Sequence, residues 1–193
     1  MSPSDEILCS AQRLFARHGL KKVTTDDIAR EAHVSKSTIY ARYQNKQDIL
    51  RAVVQMEMEE LWHKIVDAVE EQPTVEAKLR AHLLTKIGSV RELINLHQIT
   101  SESLAEHWEH AGRLRDEFVV REAAIIGEIL ATGVRREGLE IADIETTALL
   151  MAASLRSLED PWAMAPLKLS LEEQVDAMLC IILNGLRPRP RSR

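Results

Sequence analysis

The sequence predicts an all-α protein, and three observations predict it. Apolar residues recur three and four positions apart through most of the 193 residues. Thr24, Ser35, Asn45 and Ser170 each stand just before such a run, where a side-chain oxygen can cap a helix. The glycines and prolines fall mainly between these runs, at expected helix ends and loops.

The elements follow in order. Ser2, Pro3 and Asp5 open a first helix over residues 4–18, with Ile7, Leu8, Ala11, Leu14 and Phe15 on one stripe and Gly19 as its left-handed terminator. Thr24 and Asp27 form a capping box, so a second helix starts near Thr25, with Ile28, Ala29 and Ala32 on its inner face. His33-Val34-Ser35 interrupts it, and Ser35 caps a third helix from Lys36 to about Arg42. Asp26 and Asp27 read as helix-start residues near the positive end of the dipole. Asn45 caps a long amphipathic helix over 46–71, ended by Gln72-Pro73. Further helices are expected at 74–90, 91–106, 112–136 (closed by Gly138) and 143–158. A loop with Trp162 and Pro166 follows, then a capping box of Ser170 and Glu173 opens a last helix to Leu186.

Two short helices joined by a tight turn, the second with the polar face Lys36, Ser37, Thr38 and Tyr40, make a helix-turn-helix pattern. Such short helices are marginal alone, so the first helix must cover them. Lys36, Ser37 and Thr38 suit base edges, whereas Thr25, Tyr40, Tyr43 and Lys46 suit phosphates. Tyr40 and Tyr43 also admit a structural reading, the ring packed inward and only the hydroxyl reaching out.

Charge agrees when counted by segment. The net value is −5, yet residues 1–51 hold nine basic and six acidic side chains, and residues 52–186 hold twelve and twenty-four. Positive charge is local to the proposed DNA end, and local charge matters within a Debye length. The last seven residues, with four arginines, are expected to be a disordered basic tail. No window reaches about 18 uninterrupted apolar residues and the N-terminus is polar, so a cytoplasmic protein with no membrane partner is expected. Cys9 and Cys180 lack metal spacing and are expected to stay reduced.

With these residues in view, the segment resembles the tetracycline-repressor (TetR) family of bacterial transcriptional regulators. The resemblance rests on Phe15-Ala-Arg-His-Gly19, Thr24-Thr25, Ile28-Ala29, Val34-Ser35, Ile39-Tyr40, Tyr43 and Lys46, and covers about the first 50 residues. It departs at His33, where the family usually carries Gly; that turn often needs positive φ, which His tolerates better than most residues. The resemblance implies a helix-turn-helix domain over 1–47 and a helical effector-binding and dimerisation domain over 48–186. It also implies an effector that moves the helix at 46–71, so that two recognition helices no longer match the groove spacing.

The last helix is apolar nearly all round, which demands burial on two sides. A homodimer through a four-helix bundle of the last two helices is therefore expected, with Leu149, Ala152, Leu171, Val175, Met178, Leu179 and Ile182 at the interface. One helix-turn-helix reads only a few base pairs, whereas a two-fold pair reads a palindrome. The candidate effector lining is Trp62, Leu93, His97, Trp108, Phe118, Ile125, Met151, Leu155 and Trp162, although such residues more often form core. That lining suits an unknown small hydrophobic effector. The expected function is a ligand-released repressor binding a palindromic operator in double-stranded DNA.

The rival class is a helical-bundle metalloprotein or enzyme. Glu60-Leu-Trp-His63 supplies one Glu-x-x-His motif where a di-metal bundle needs two. His107 and His110, beside Glu106 and Glu109, could form a mononuclear site but read more simply as a solvated turn. There is no phosphate loop, nucleophile elbow or Cys-x-x-Cys pair. No catalytic residues, metal or cofactor are expected.

Overall fold

The computed structural model describes the backbone of residues 3–92, 111–155 and 168–186, and the side chains of 4–89, 116–155 and 168–185. The expected helix at 91–106 falls, past Glu92, outside the described residues, as do the loop with Trp162 and Pro166 and the basic tail. Among the described residues are eight helices and no strand: α1 Pro3–His18, α2 Thr25–Glu31, α3 Lys36–Tyr40, α4 Lys46–Glu70, α5 Val75–Glu92, α6 Ala111–Arg136, α7 Ile144–Leu155 and α8 Leu171–Leu186. The chain divides into two compact units, one running through Trp62 and taking in the segment from Val90, the other starting at His63.

Local chemistry sets the helix starts. Thr24 and Asp27 close the capping box with bonds of 3.0 and 3.2 Å, each backbone N–H donating to the other's side chain. Ser35 accepts from the Thr38 N–H at 3.1 Å, and Asn45 accepts from the Asp48 N–H at 2.9 Å. Ser170 and Glu173 repeat the reciprocal box at α8. The third helix stops at Tyr40, two residues short of expectation. Ala41 caps it, and the N–H groups of Arg42 and Tyr43 both turn back to the Ile39 carbonyl.

In the first unit, Ile7, Ala11 and Phe15 form the buried stripe of α1, which packs on α2 as α2 packs on α3. Ile28, Ala29 and Ile39 are buried beside them, with Ile49, Leu50, Val53 and Val54 from α4. Burying one such side chain stabilises by about 1.5–3 kcal/mol, which offsets the poor intrinsic stability of five- and seven-residue helices. Two left-handed residues set the turns: Gly19 at φ 77° ends α1, and His33 at φ 53° takes the position expected to need positive φ. Gln12 closes this unit internally by donating to buried Glu57 at 3.0 Å.

In the second unit, Val75, Leu79, Leu83 and Ile87 line the inner face of α5. Ile126, Ile129 and Leu130 of α6, Ala148, Met151, Ala152 and Leu155 of α7, and Val175, Leu179 and Leu183 of α8 are buried with them. α6 and α7 pack along one another, with Gly127 on α6 beside Ala148. Near the end of α6, Gly133 admits Leu139 and Val75 so closely that an added Cβ would lie 2.5 and 2.8 Å from their side chains. Arg80 on α5 holds Asp176 on α8 at 2.6 Å.

Candidate DNA interface and the C-terminal charged cluster

The residues expected to meet DNA gather at the start of α2, along α3 and at the start of α4. Tyr40 is half-exposed, and its hydroxyl lies 3.1 Å from the Thr25 hydroxyl, so two expected phosphate ligands already touch. The Tyr43 hydroxyl is 3.3 Å from the Ser4 hydroxyl. On α3, the Ser35 hydroxyl sits 2.7 Å from that of Ser37 and 2.8 Å from that of Thr38. The two expected base readers therefore form a hydroxyl cluster around their own helix cap.

Lys36 and Lys46 are less free than the sequence suggests. Lys36 pairs with Asp26 across the turn at 2.5 Å, and this bond holds the ammonium pKa above its ordinary value. Asp26, read from sequence as a helix-start residue, thus also restrains the first side chain of α3. Asp27 is pulled below the usual carboxylate range, first by the bond from the Thr24 hydroxyl and then by the Thr24 N–H. The Lys46 ammonium donates to the carbonyls of Leu20 at 2.7 Å and Val23 at 2.9 Å. It ties the first residue of α4 to the loop behind α1.

Of the expected effector lining, Trp62, Met151 and Leu155 are buried, while Phe118 and Ile125 are half-buried. Leu93, His97, Trp108 and Trp162 lie outside the described residues. Of the expected dimer residues, Ala152, Val175 and Leu179 are buried within the single chain. Leu171, Met178 and Ile182 are half-buried, and Leu149 is exposed. Two large apolar residues outside that set, Leu150 on α7 and Ile181 on α8, are 62% and 72% exposed.

One cluster escaped sequence reasoning altogether. His82 and Lys86 of α5 and Glu122 of α6 are buried together in the second unit. Glu122 accepts two bonds of 2.7 Å from the Lys86 ammonium and lies 3.0 Å from His82 Nε2. Burial pushes its carboxyl up, but the His82 bond and the Lys86 charge together outweigh burial and leave it below its ordinary value. The Phe118 ring, one turn before Glu122, lies 5.3 Å from the Lys86 ammonium. A weak signal existed: His82, Lys86 and Glu122 fall in helical phase with Leu79, Leu83 and Ile126, where an apolar residue would be ordinary.

The metal rival finds no support. Glu60 and His63 are both exposed on α4, and His107 and His110 lie outside the described residues. Among the described residues, no group of three or more His, Cys, Asp or Glu could hold an ion. Nor, among them, is any helix long and apolar enough to cross a membrane.

A capped α2, a tight turn, and a short α3 with an exposed polar face define a helix-turn-helix DNA-binding protein. Comparison with known proteins agrees. Residues 7–53 match the family model described as bacterial regulatory proteins, tetR family. That segment is a DNA-binding domain of the tetracycline-repressor type, and the chain is similar to transcriptional regulators that carry it. Its curated relatives include an uncharacterized HTH-type transcriptional regulator, YhgD, of Bacillus subtilis, 24% identical over 93% of this chain and 94% of that one. A fatty acid metabolism regulator protein of the same organism is 22% identical over 94% of each chain. Among solved structures, the fatty acid degradation regulator FadR of Bacillus halodurans superposes with a TM-score of 0.69, at 25% identity and 98% coverage of both chains. FadR of Bacillus subtilis in complex with stearoyl-CoA gives 0.70 at 20% identity, over 95% of this chain and 99% of that one. These relatives are regulators rather than enzymes.

Proposed function

We propose that the protein is a cytoplasmic homodimeric repressor that grips a palindromic operator and releases it when an acyl-bearing effector enters the C-terminal domain, residues 48–186. The observation that carries the DNA half is the exposed α2–α3 face, where Thr25, Lys36, Ser37, Thr38 and Tyr40 lie on the surface around one helix start. Thr25, Tyr40 and Tyr43 contact phosphates; Lys36, freed from Asp26, reads base edges with Ser37 and Thr38. The bonds of Lys46 favour a different role from the phosphate contact first expected. It braces the head rather than touching DNA.

The dimer half is supported by apolar residues exposed in the single chain, Leu149, Leu150 and Ala153 on α7 and Ala177 and Ile181 on α8. Water-exposed apolar area of this kind is stabilised by a partner, and a two-fold axis supplies an identical set of residues. Leu171, Met178 and Ile182 are half-buried on α8, whereas Ala152, Val175 and Leu179 are buried within the chain. For the effector, support comes from relatives described as regulators of fatty acid metabolism and degradation, and from one seen with stearoyl-CoA. The continuous α4, which starts in the first unit and ends in the second, is the element through which an effector biases the head.

Selection of bound duplexes from a random pool tests the reading. The expected result is a palindrome bound with a Kd of roughly 10⁻⁸–10⁻¹¹ M and released by acyl compounds. Binding no tighter to the selected duplex than to competitor DNA would sink the proposal.

A further inference from the structure

The DNA-reading face carries an acid where its partner is a polyanion. Lys36 of α3 and Asp26 of α2 meet at 2.5 Å, with side chains 59% and 48% exposed. Pairs this exposed add little to stability. The start of α2 is already secured by Thr24 and Asp27, so neither folding nor capping accounts for Asp26. A carboxylate beside duplex DNA repels phosphates and weakens binding unless it finds a donor there. The hydroxyls of the other two base readers, Ser37 and Thr38, already lie 2.7 and 2.8 Å from that of Ser35. Beside them, the strong hydrogen-bonding groups are the Lys36 ammonium and the Asp26 carboxylate.

We propose that Asp26 is a further base reader and works with Lys36 on a single G·C pair: the ammonium moves to guanine N7 and O6, and the carboxylate takes the N4 amino group of the paired cytosine. The proposal rests on the operator-binding reading above and names a base pair that it selects. Hydrogen-bond accounting selects that pair. An ammonium only donates, through three hydrogens, and a carboxylate only accepts. When Lys36 leaves for the groove, Asp26 loses its 2.5 Å bond and must find another donor or stand beside the duplex as an unpaired anion. Phosphates offer acceptors alone, so they satisfy the lysine and strand the acid. In the major groove, guanine presents two acceptors and cytosine presents a donor. Guanine O6 and cytosine N4 are bonded to each other and so lie about 2.9 Å apart. The Lys36 ammonium and the Asp26 carboxylate stand side by side at a comparable spacing, 2.5 Å. The exchange breaks one ion pair and forms three charge-assisted bonds, and no proton changes owner. An A·T pair gives the carboxylate adenine N6 but leaves the ammonium N7 alone, one bond fewer. A reversed C·G pair sets the carboxylate against the guanine acceptors. An acid left stranded on other sequences acts as a repulsive element against them, which sharpens specificity more than it raises affinity.

The test uses the full-length protein on its selected operator, with each cytosine of the half-sites replaced in turn by 2-pyrimidinone, which lacks the N4 amino group. Fluorescence anisotropy gives the affinities of the wild type, Asp26→Ala and Asp26→Asn for these duplexes and for unrelated DNA. At one G·C pair of the half-site, loss of the amino group is expected to weaken wild-type binding about tenfold. Asp26→Ala should be indifferent to the analogue at that position, and its ratio of operator to unrelated binding should fall about tenfold. On unrelated DNA the same variant should bind more tightly, with a salt slope steeper by about one, because the released Lys36 takes a phosphate. Asp26→Asn keeps a carbonyl acceptor and should retain part of the sensitivity; it carries the comparison if Asp26→Ala fails to fold. A half-site with no cytosine amino group that matters, or a penalty undiminished in both variants, overturns the proposal. So does Asp26→Ala tightening on operator and unrelated DNA alike, which would make Asp26 a restraint on Lys36 and nothing more. Each of these results leaves the repressor reading intact; absence of specific operator binding defeats that reading and this one with it.

Discussion

Lys86→Met tests whether the buried cluster stabilises the second unit as its geometry implies. The change keeps the length of the side chain and removes the ammonium that gives Glu122 its two 2.7 Å bonds. A fully buried carboxylate is then left with the His82 bond alone among the described residues. Stranding one partner of a buried ion pair costs about 3–5 kcal/mol. At about 2–4 °C per kcal/mol for a chain of this size, the midpoint should fall by about 6–20 °C. Circular dichroism melts and urea titrations at one fixed protein concentration would measure it, because dimerisation makes the midpoint concentration-dependent. Adding Glu122→Leu removes the stranded charge, so the double variant should recover most of the loss. The pH dependence supplies a second sign. The Glu122 carboxyl lies below its ordinary value when folded, so its contribution is fully present above the unfolded pKa and is lost as pH falls through the folded one. In Lys86→Met, without the ammonium, burial opposes ionisation more strongly, and acidification should relieve part of the destabilisation. A loss below about 1 kcal/mol, or a double variant no better than Lys86→Met, would refute the reasoning.

Four further perturbations have definite signs. His33→Gly relieves a left-handed residue at φ 53° and should raise stability by about 0.5–1 kcal/mol in a urea titration; a loss would show that the side chain matters more than the backbone. Lys46→Ala removes both carbonyl bonds and should cost about 1.5–3 kcal/mol in head stability while leaving the salt slope of DNA binding unchanged. A slope smaller by about one would instead return Lys46 to the phosphate contacts. Leu150→Glu with Ile181→Glu should yield folded monomers in sedimentation, since both side chains face solvent in the single chain; persistent dimers would place the interface elsewhere. Gly133→Ala drives a methyl toward Leu139 and Val75 and should destabilise by about 1–3 kcal/mol, a prediction refuted by an unchanged melting midpoint.

What the sequence determined by itself is whatever neighbouring residues settle among themselves. The Thr24–Asp27 and Ser170–Glu173 boxes, the Ser35 and Asn45 caps and the left-handed turn at His33 all act within a few positions. The helix-turn-helix and the starts of its helices were therefore legible, and the end of α3 missed by only two residues, whereas α5 runs on through Arg91 and Glu92 past the break expected after residue 90. Tertiary structure decided everything that joins distant positions. His82 meets Glu122 across 40 residues, Lys46 reaches carbonyls 23 and 26 residues back, and Asp26 captures Lys36 across a turn. Periodicity told that α8 is apolar on two sides, but only packing showed that Val175 and Leu179 turn inward while Ile181 faces out. A helical pattern records the phase of each face; which neighbour covers that face depends on how helices far apart in the chain come together, and no single helix encodes it.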